Sequence, residues 1–118
     1  MGNVVKEKSF DFAVRIVNLH KYLRSEKKEF VLSKQLLRSG TANAALVREA
    51  EQAESKPDFV HKMAIALKEA NETEYWTILL GETGYLTACE AESIGADNKE
   101  LLRLLTSIIN STKQKMAQ

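Results

Sequence analysis

Only one proline, Pro57, interrupts this chain of 118 residues, and glycine occurs only five times. Strands joined by tight turns need more of both residues, whereas the abundant Ala, Leu, Glu and Lys favour helices. Apolar residues make up 44% of the chain, which is enough for the core of one small domain. The sequence therefore predicts a single all-α domain over residues 1–118.

Apolar residues recur at helical spacing in the first half of the chain. They predict a first helix from about Ser9, as an N-cap, to about Ser25, and a second helix over about residues 30–54. Small residues surround Gly40 in the second helix. Glycine costs about 1 kcal/mol relative to alanine in a helix interior, so Gly40 indicates close packing or a local bend.

The second half of the chain contains clear helix-start signals. Ser55, Pro57 and Asp58 supply a hydroxyl cap, a first-turn proline and a first-turn acid for a third helix. A loop should follow at Gly84, and then a short helical turn. The last helix is expected to begin between residues 91 and 99 and to end at about residue 114. Four helices joined by short loops predict an antiparallel four-helix bundle.

The third helix has apolar residues on two sides. One broad face includes Asn71 and Glu74, which are predicted to be buried polar residues, and Glu74 is expected to have a structural hydrogen-bond partner. The other side carries Ile65, Trp76 and Leu80. Because a helix with two apolar sides needs two partners, these three residues are the predicted oligomer interface.

The net charge is only +1, but the charges are unevenly distributed. Residues 1–40 contain nine Lys/Arg and four Asp/Glu, whereas residues 41–100 contain five and twelve. Lys34, Arg38 and Arg48 share one face of the second helix, and no acid lies among them. This α2 stripe is the candidate nucleic-acid interface. A solvated charged face, or pairing with acids of the third helix in a neighbouring subunit, explains the stripe about as well.

The sequence predicts no catalytic residue, metal ligand or cofactor. Asp58 and His61 form half of a carboxylate–histidine metal motif, but the other half is missing. Cys89 is the only cysteine, and it lies far in sequence from either histidine. No apolar run approaches the roughly 18 residues that span a membrane. A cytoplasmic protein that does not bind membranes is therefore expected.

Five segments carry a resemblance to a known family: Leu36–Thr41, Arg48–Glu51, Ala66–Trp76, Glu82–Leu86 and Leu104–Ile109. Together they resemble the bacterial four-helix bundle family also called the 23S rRNA intervening-sequence protein family. The resemblance implies a four-helix subunit that assembles into a ring-like homopentamer. A related branch, the accessory proteins of diversity-generating retroelements, binds nucleic acid, and that property extends to this chain only by analogy.

The chain departs from the family pattern after Thr41. The family usually continues Ser-Ile-Gly-Ala-Asn, whereas this chain reads Ala42-Asn43-Ala44-Ala45-Leu46. Leu46 therefore occupies the usual asparagine position, which leaves the polar role of that position in question. The predicted function is a non-enzymatic, homo-oligomeric bundle with an accessory role in RNA or DNA binding. The alternative is a protein-binding scaffold or adaptor without nucleic-acid contact.

Overall fold

The computed structural model of the chain describes residues 2–118, with side chains from Val4 onward. It contains four α-helices and, within those residues, no strand. This confirms the predicted all-α class. The helices are α1 (Gly2–Ser25), α2 (Leu32–Ala50), α3 (Lys56–Glu82) and α4 (Ala88–Ala117).

The helices form an elongated bundle of 51 × 22 × 20 Å. Each helix packs against the next one in the chain, and α1 also contacts α4 over a smaller area. Short connections make successive helices antiparallel. No helix of the described residues is both long and apolar enough to span a bilayer.

Local capping signals fix the starts of α3 and α4. The hydroxyl of Ser55 accepts a hydrogen bond from the backbone N–H of Asp58 at 3.2 Å, as predicted. Thr87 and Glu90 cap each other reciprocally, with N···O distances of 3.1 and 2.8 Å. The second cap begins one helix of 30 residues rather than a short turn followed by a separate helix. Gly95 lies inside α4 and does not interrupt it. The loss of helix stability from one interior glycine is too small to break a well-packed helix.

The predicted boundaries of α1 and α2 were partly wrong. Helix α1 begins at Gly2, and Ser9 is a buried residue of its interior whose hydroxyl donates to the carbonyl oxygen of Lys6 at 3.1 Å. A serine that bonds back along its own helix gives the same sequence signal as an N-cap. Helix α2 spans residues 32–50 rather than 30–54, since the chain leaves the helix in a turn after Ala50.

Two apolar clusters fill the core, and a polar layer separates them. One cluster contains Val5, Val47, Ala50, Met63, Ala66, Ala70, Leu105 and Ile109. The other contains Phe12, Ile16, Leu23, Leu36, Leu80, Leu86, Ile94 and Leu101. Along α1, α2 and α3 the buried polar residues between the two clusters are Ser9, Ser39, Asn43, Thr73 and Thr77. On α4 the buried polar residue is Asn98, which lies between Ile94 and Leu101 of the second cluster.

The polar layer is held partly by hydrogen bonds between helices. Thr73 Oγ1 and Ser39 Oγ share a hydrogen bond at 3.0 Å, and Asn98 Nδ2 donates to the carbonyl oxygen of Ala70 at 2.9 Å. The amide of Asn43 is buried without a hydrogen-bond partner among the described residues. Of the two explanations offered for Gly40, the structure shows close packing, because a Cβ atom there would lie 2.9 Å from both Cγ1 and Cγ2 of Ile16.

The predicted core face of α3 was wrong in the C-terminal half of the helix. Asn71 is exposed and Glu74 is only half-buried, so they are not a buried polar pair. The core side instead carries small and hydroxyl residues such as Thr73 and Thr77. Their hydroxyls donate to the carbonyl oxygens four residues earlier, at 2.9 and 2.8 Å. Burial therefore leaves no hydroxyl donor unsatisfied.

The observed core face of α3 also corrects part of the predicted oligomer interface. Leu80 has no exposed surface and belongs to the core of its own subunit, so it cannot meet a second subunit. Ile65 and Trp76 are half-buried. Tyr75 and Ile78 on the same helix are 57% and 58% exposed.

Candidate nucleic-acid interface

The three side chains of the α2 stripe are exposed, but they differ in what they contact. The Arg38 guanidinium bonds Glu69 at 3.1 Å and also bonds Glu72. The guanidinium carbon of Arg48 lies 5.6 Å from the centroid of the Phe10 ring. Lys34 forms no ion pair with any described residue. The stripe is therefore not a uniform row of available cations.

Arg38 belongs to a hydrogen-bonded cluster between α2 and α3 of one subunit. Trp76 Nε1 donates to Glu72 at 2.9 Å, and this bond and the one from Arg38 lower the pKa of Glu72. The hydrogen bond to Glu72 in turn raises the pKa of Arg38. Pairing with acids of helix 3 in a neighbouring subunit was one alternative explanation of the stripe. The structure instead pairs Arg38 with these acids within the chain, so two carboxylates compete with any phosphate for it.

A denser group of cations lies where α1 ends and α2 begins. We call it the basic corner, and it comprises Lys21, Arg24, Lys27, Lys28 and Lys34, all exposed. Two acids occur in the same stretch, Glu26 and Glu29. Glu26 is exposed, whereas Glu29 is buried. The surface of the corner is therefore strongly positive.

Glu29 is turned inward because it caps α2. Its carboxylate accepts hydrogen bonds from the backbone N–H groups of Val31, Leu32 and Ser33 at 3.1, 2.9 and 2.7 Å. Burial raises the pKa of Glu29, but these bonds more than offset it, and the pKa lies below its ordinary value. The negative charge of Glu29 thus stabilises the N-terminus of α2 rather than pairing with the neighbouring lysines.

Aromatic side chains lie among the cations of the basic corner. Phe30 is 49% exposed, and the Arg24 guanidinium carbon is 5.2 Å from its ring centroid. The Lys27 ammonium nitrogen is 6.0 Å from the centroid of Tyr22. Next to Phe30, Val31 is 72% exposed. Sequence reasoning missed this corner because it compared residues on one helix face at a time. The available signal was the density of Lys and Arg in residues 21–34.

A groove of about 820 Å³ runs between α3 and α4. Small residues such as Gly81, Ala91 and Gly95 line it, and the exposed Ile78 adds an apolar side chain. Its lining carries more carboxylates than cations, so it repels phosphates. The charged residues are Glu74, Glu82, Glu92, Asp97, Glu100, Lys99 and Arg103.

The residues considered for chemistry are dispersed over the described chain. Cys89 is exposed in the first turn of α4. His20 Nδ1 lies 3.1 Å from the carbonyl oxygen of Ser33, which gives this imidazole a structural partner. His61 is exposed on α3. Across residues 2–118, no three His, Cys, Asp or Glu side chains come together as a metal site would require.

Comparisons with known proteins point to one family. The sequence profile described as "23S rRNA-intervening sequence protein" matches residues 2–107. A crystal structure of a protein of unknown function from Bacteroides thetaiotaomicron, assigned to the S23 ribosomal protein family, is 61% identical to this chain. The match covers 92% of this chain and 97% of that one, with a TM-score of 0.91. No curated protein gives a significant match. The chain therefore belongs to the 23S rRNA-intervening sequence protein family.

Proposed function

We propose that the protein is a non-enzymatic, homo-oligomeric four-helix bundle whose basic corner binds RNA or DNA in an accessory role. The observation that carries the proposal is the concentration of exposed cations at the basic corner. A nucleic-acid partner also implies a cytoplasmic location.

Local charge matters more for this binding than the net charge of +1. Charges separated by more than about 8 Å are largely screened at physiological ionic strength. A phosphate at the corner is therefore affected mainly by the charges close to it. Lys21, Lys28 and Lys34 form no ion pair with described residues, so each is available to a phosphate.

Self-association is supported by apolar side chains that the single subunit leaves uncovered. Ile78 lines the α3–α4 groove, Tyr75 is exposed on the same helix, and Phe10 and Val14 are about half exposed on α1. A soluble subunit normally exposes a contiguous apolar surface only where a partner covers it. We expect Ile78, rather than Leu80, to lie in the subunit interface. A ring-like pentamer follows from the family resemblance alone.

The oligomer is tested by light scattering at micromolar concentration. We expect a mass several times the 13.3 kDa of one chain, and we expect Ile78→Lys to reduce that mass. Arg103→Gln provides a control at a charged residue of the same groove. A wild-type mass of one chain would remove the oligomeric part of the proposal.

The alternative, a protein-binding scaffold without nucleic-acid contact, also has a specific observation in its favour. Arg38, the central cation of the predicted α2 stripe, is already paired with Glu69 and Glu72. A stripe neutralised in this way contributes little to phosphate binding. If the basic corner also binds no nucleic acid, protein binding at the α3–α4 groove becomes the better proposal for the function.

Nucleic-acid binding is tested by fluorescence titration with labelled RNA at two salt concentrations. The variant Lys27→Gln/Lys28→Gln/Lys34→Gln removes three charges from the corner, and Lys56→Gln/Lys68→Gln/Lys113→Gln removes three exposed charges elsewhere. Each lost phosphate contact lowers the slope of log affinity against log salt by about 0.7 to 0.9. We expect a clear loss of slope in the corner variant and little change in the control. Equal losses in both variants, or no salt-sensitive binding by the wild type, would refute the proposal.

A further inference from the structure

The position of Phe30 within the basic corner indicates which kind of nucleic acid binds there. We infer that the corner binds single-stranded nucleic acid, with an unpaired base stacked on Phe30 and the flanking cations in contact with phosphates. The inference rests on the proposed function, and it adds the ligand class and the residue that selects it.

The first support is the exposure of Phe30 among cations. The ring is about half exposed at the tip of the α1–α2 connection, directly after Lys27, Lys28 and Glu29. The Arg24 guanidinium carbon lies over the ring, 5.2 Å from its centroid, so one face of Phe30 already carries a cation and a base would stack on the other face. Proteins that bind single strands combine these two elements, aromatic rings for the bases and a positive surface for the backbone.

The second support is the rigidity of the connection. The backbone N–H of Glu29 donates to the carbonyl oxygen of Leu23 at 3.0 Å, and Ser33 Oγ donates to the carbonyl oxygen of Glu29 at 2.9 Å. The carboxylate of Glu29 adds three further bonds to α2. Phe30 therefore projects from a segment that is already ordered. A preorganised ring loses little conformational entropy when a base stacks on it.

A duplex cannot use this ring in the same way. In a duplex the faces of the bases are occupied by neighbouring base pairs, so the phosphates are the main groups that the corner can reach. Stacking on Phe30 needs an unpaired base. The cations alone would bind single strands and duplexes through the same salt-sensitive contacts, whereas Phe30 contributes only to single strands.

The experiment uses the full chain with a labelled 12-nucleotide oligouridine and a 12-base-pair RNA duplex. Phe30→Ala and Phe30→Leu remove the aromatic face, and the leucine variant keeps an apolar side chain of similar size. Val31→Ala is the matched control at the adjacent and more exposed position. We expect both Phe30 variants to weaken oligouridine binding by roughly 5- to 100-fold. Duplex affinity and the salt slope should stay unchanged, because no phosphate contact is lost.

Each other outcome has a distinct meaning. Wild-type affinity for oligouridine in both Phe30 variants would overturn the inference and leave the proposed function intact. Absence of salt-sensitive binding to either RNA would remove the proposed function and the inference together. Equal loss of both ligands would make Phe30 a structural residue, and circular dichroism would show whether the fold has changed. Phe30-dependent binding to vesicles of phosphatidylcholine and phosphatidylserine, with no binding of oligouridine, would assign the corner to a membrane surface and also overturn it.

Discussion

Replacing Gly40 by alanine should destabilise the protein, whereas the same substitution at Gly95 should stabilise it. Both glycines lie inside helices, so alanine gains about 1 kcal/mol of helix propensity at each position. At Gly95 a new Cβ meets nothing within 4 Å. At Gly40 it lies 2.9 Å from Cγ1 and 2.9 Å from Cγ2 of Ile16, and Ile16 has no exposed surface.

The clash at Gly40 outweighs the gain in propensity. Both γ-carbons of Ile16 are attached directly to its Cβ, so neither can move aside unless the whole side chain or the helix moves. Overpacking of this kind costs typically about 1–3 kcal/mol. After the propensity gain, we expect Gly40→Ala to lose about 1 kcal/mol in the free energy of unfolding. Gly95→Ala should gain about 1 kcal/mol, so the two variants should differ by about 2 kcal/mol.

Urea unfolding at a single protein concentration measures this difference. The concentration must be constant because self-association adds to the stability of the folded state. A double variant isolates the cause: in an Ile16→Ala background both γ-carbons are gone, and Gly40→Ala should then stabilise. A Gly40→Ala protein at least as stable as the wild type would refute the reasoning. Destabilisation by Gly40→Ala in the Ile16→Ala background would refute it as well.

Two further predictions concern buried polar groups. Glu29→Gln should lower stability at pH 7 by about 1 kcal/mol, because it removes the charge that caps α2. The folded-state pKa of Glu29 is below its ordinary value of 4.5, so this contribution is present above that pH and is lost as the pH falls through the folded-state pKa. Thermal unfolding should therefore show the difference between wild type and variant shrinking in acid, and a constant difference would contradict it. Asn43→Leu should be nearly neutral or stabilising in urea, because neither amide atom has a partner among the described residues. A loss of more than about 2 kcal/mol would contradict this expectation, and would arise from a buried partner of Asn43 or from overpacking by the larger side chain.

Helix starts were predictable where one short segment contains the whole signal. Ser55 and Thr87 each accept a hydrogen bond from an N–H three residues later, and no distant residue takes part. The start of α1 lacked such a signal, and Ser9 supplied a false one. The acid that caps α2 is Glu29, which bonds N–H groups from Val31 to Ser33. Glu29 lies two residues before the N-cap Val31, so a rule that inspects the N-cap residue overlooks it.

The orientation of α3 could not be read from apolar periodicity. The helix carries large apolar residues on both sides, so the pattern identifies two candidate faces without ranking them. The side of α3 that faces the core is the side with small residues. Ala66, Ala70 and Thr73 allow a neighbouring helix to approach closely, whereas Tyr75 and Ile78 do not. The predicted burial of Glu74 and the predicted place of Leu80 in the oligomer interface failed together, since the orientation of one helix determines both.

Some charged residues of the basic corner stabilise the ends of helices, and others do not. Arg24 lies in the last turn of α1, where a cation interacts favourably with the helix dipole, and Glu29 serves the start of α2 in the same way. Lys34 has the wrong sign for its position, because it is a cation in the first turn of α2. Lys34→Glu should therefore stabilise the fold by about 0.3–1 kcal/mol. It should also weaken RNA binding by removing one positive charge and adding a negative one at the corner. Opposite effects in urea unfolding and RNA titration would show that Lys34 is retained for binding, and an unchanged RNA affinity would refute that role.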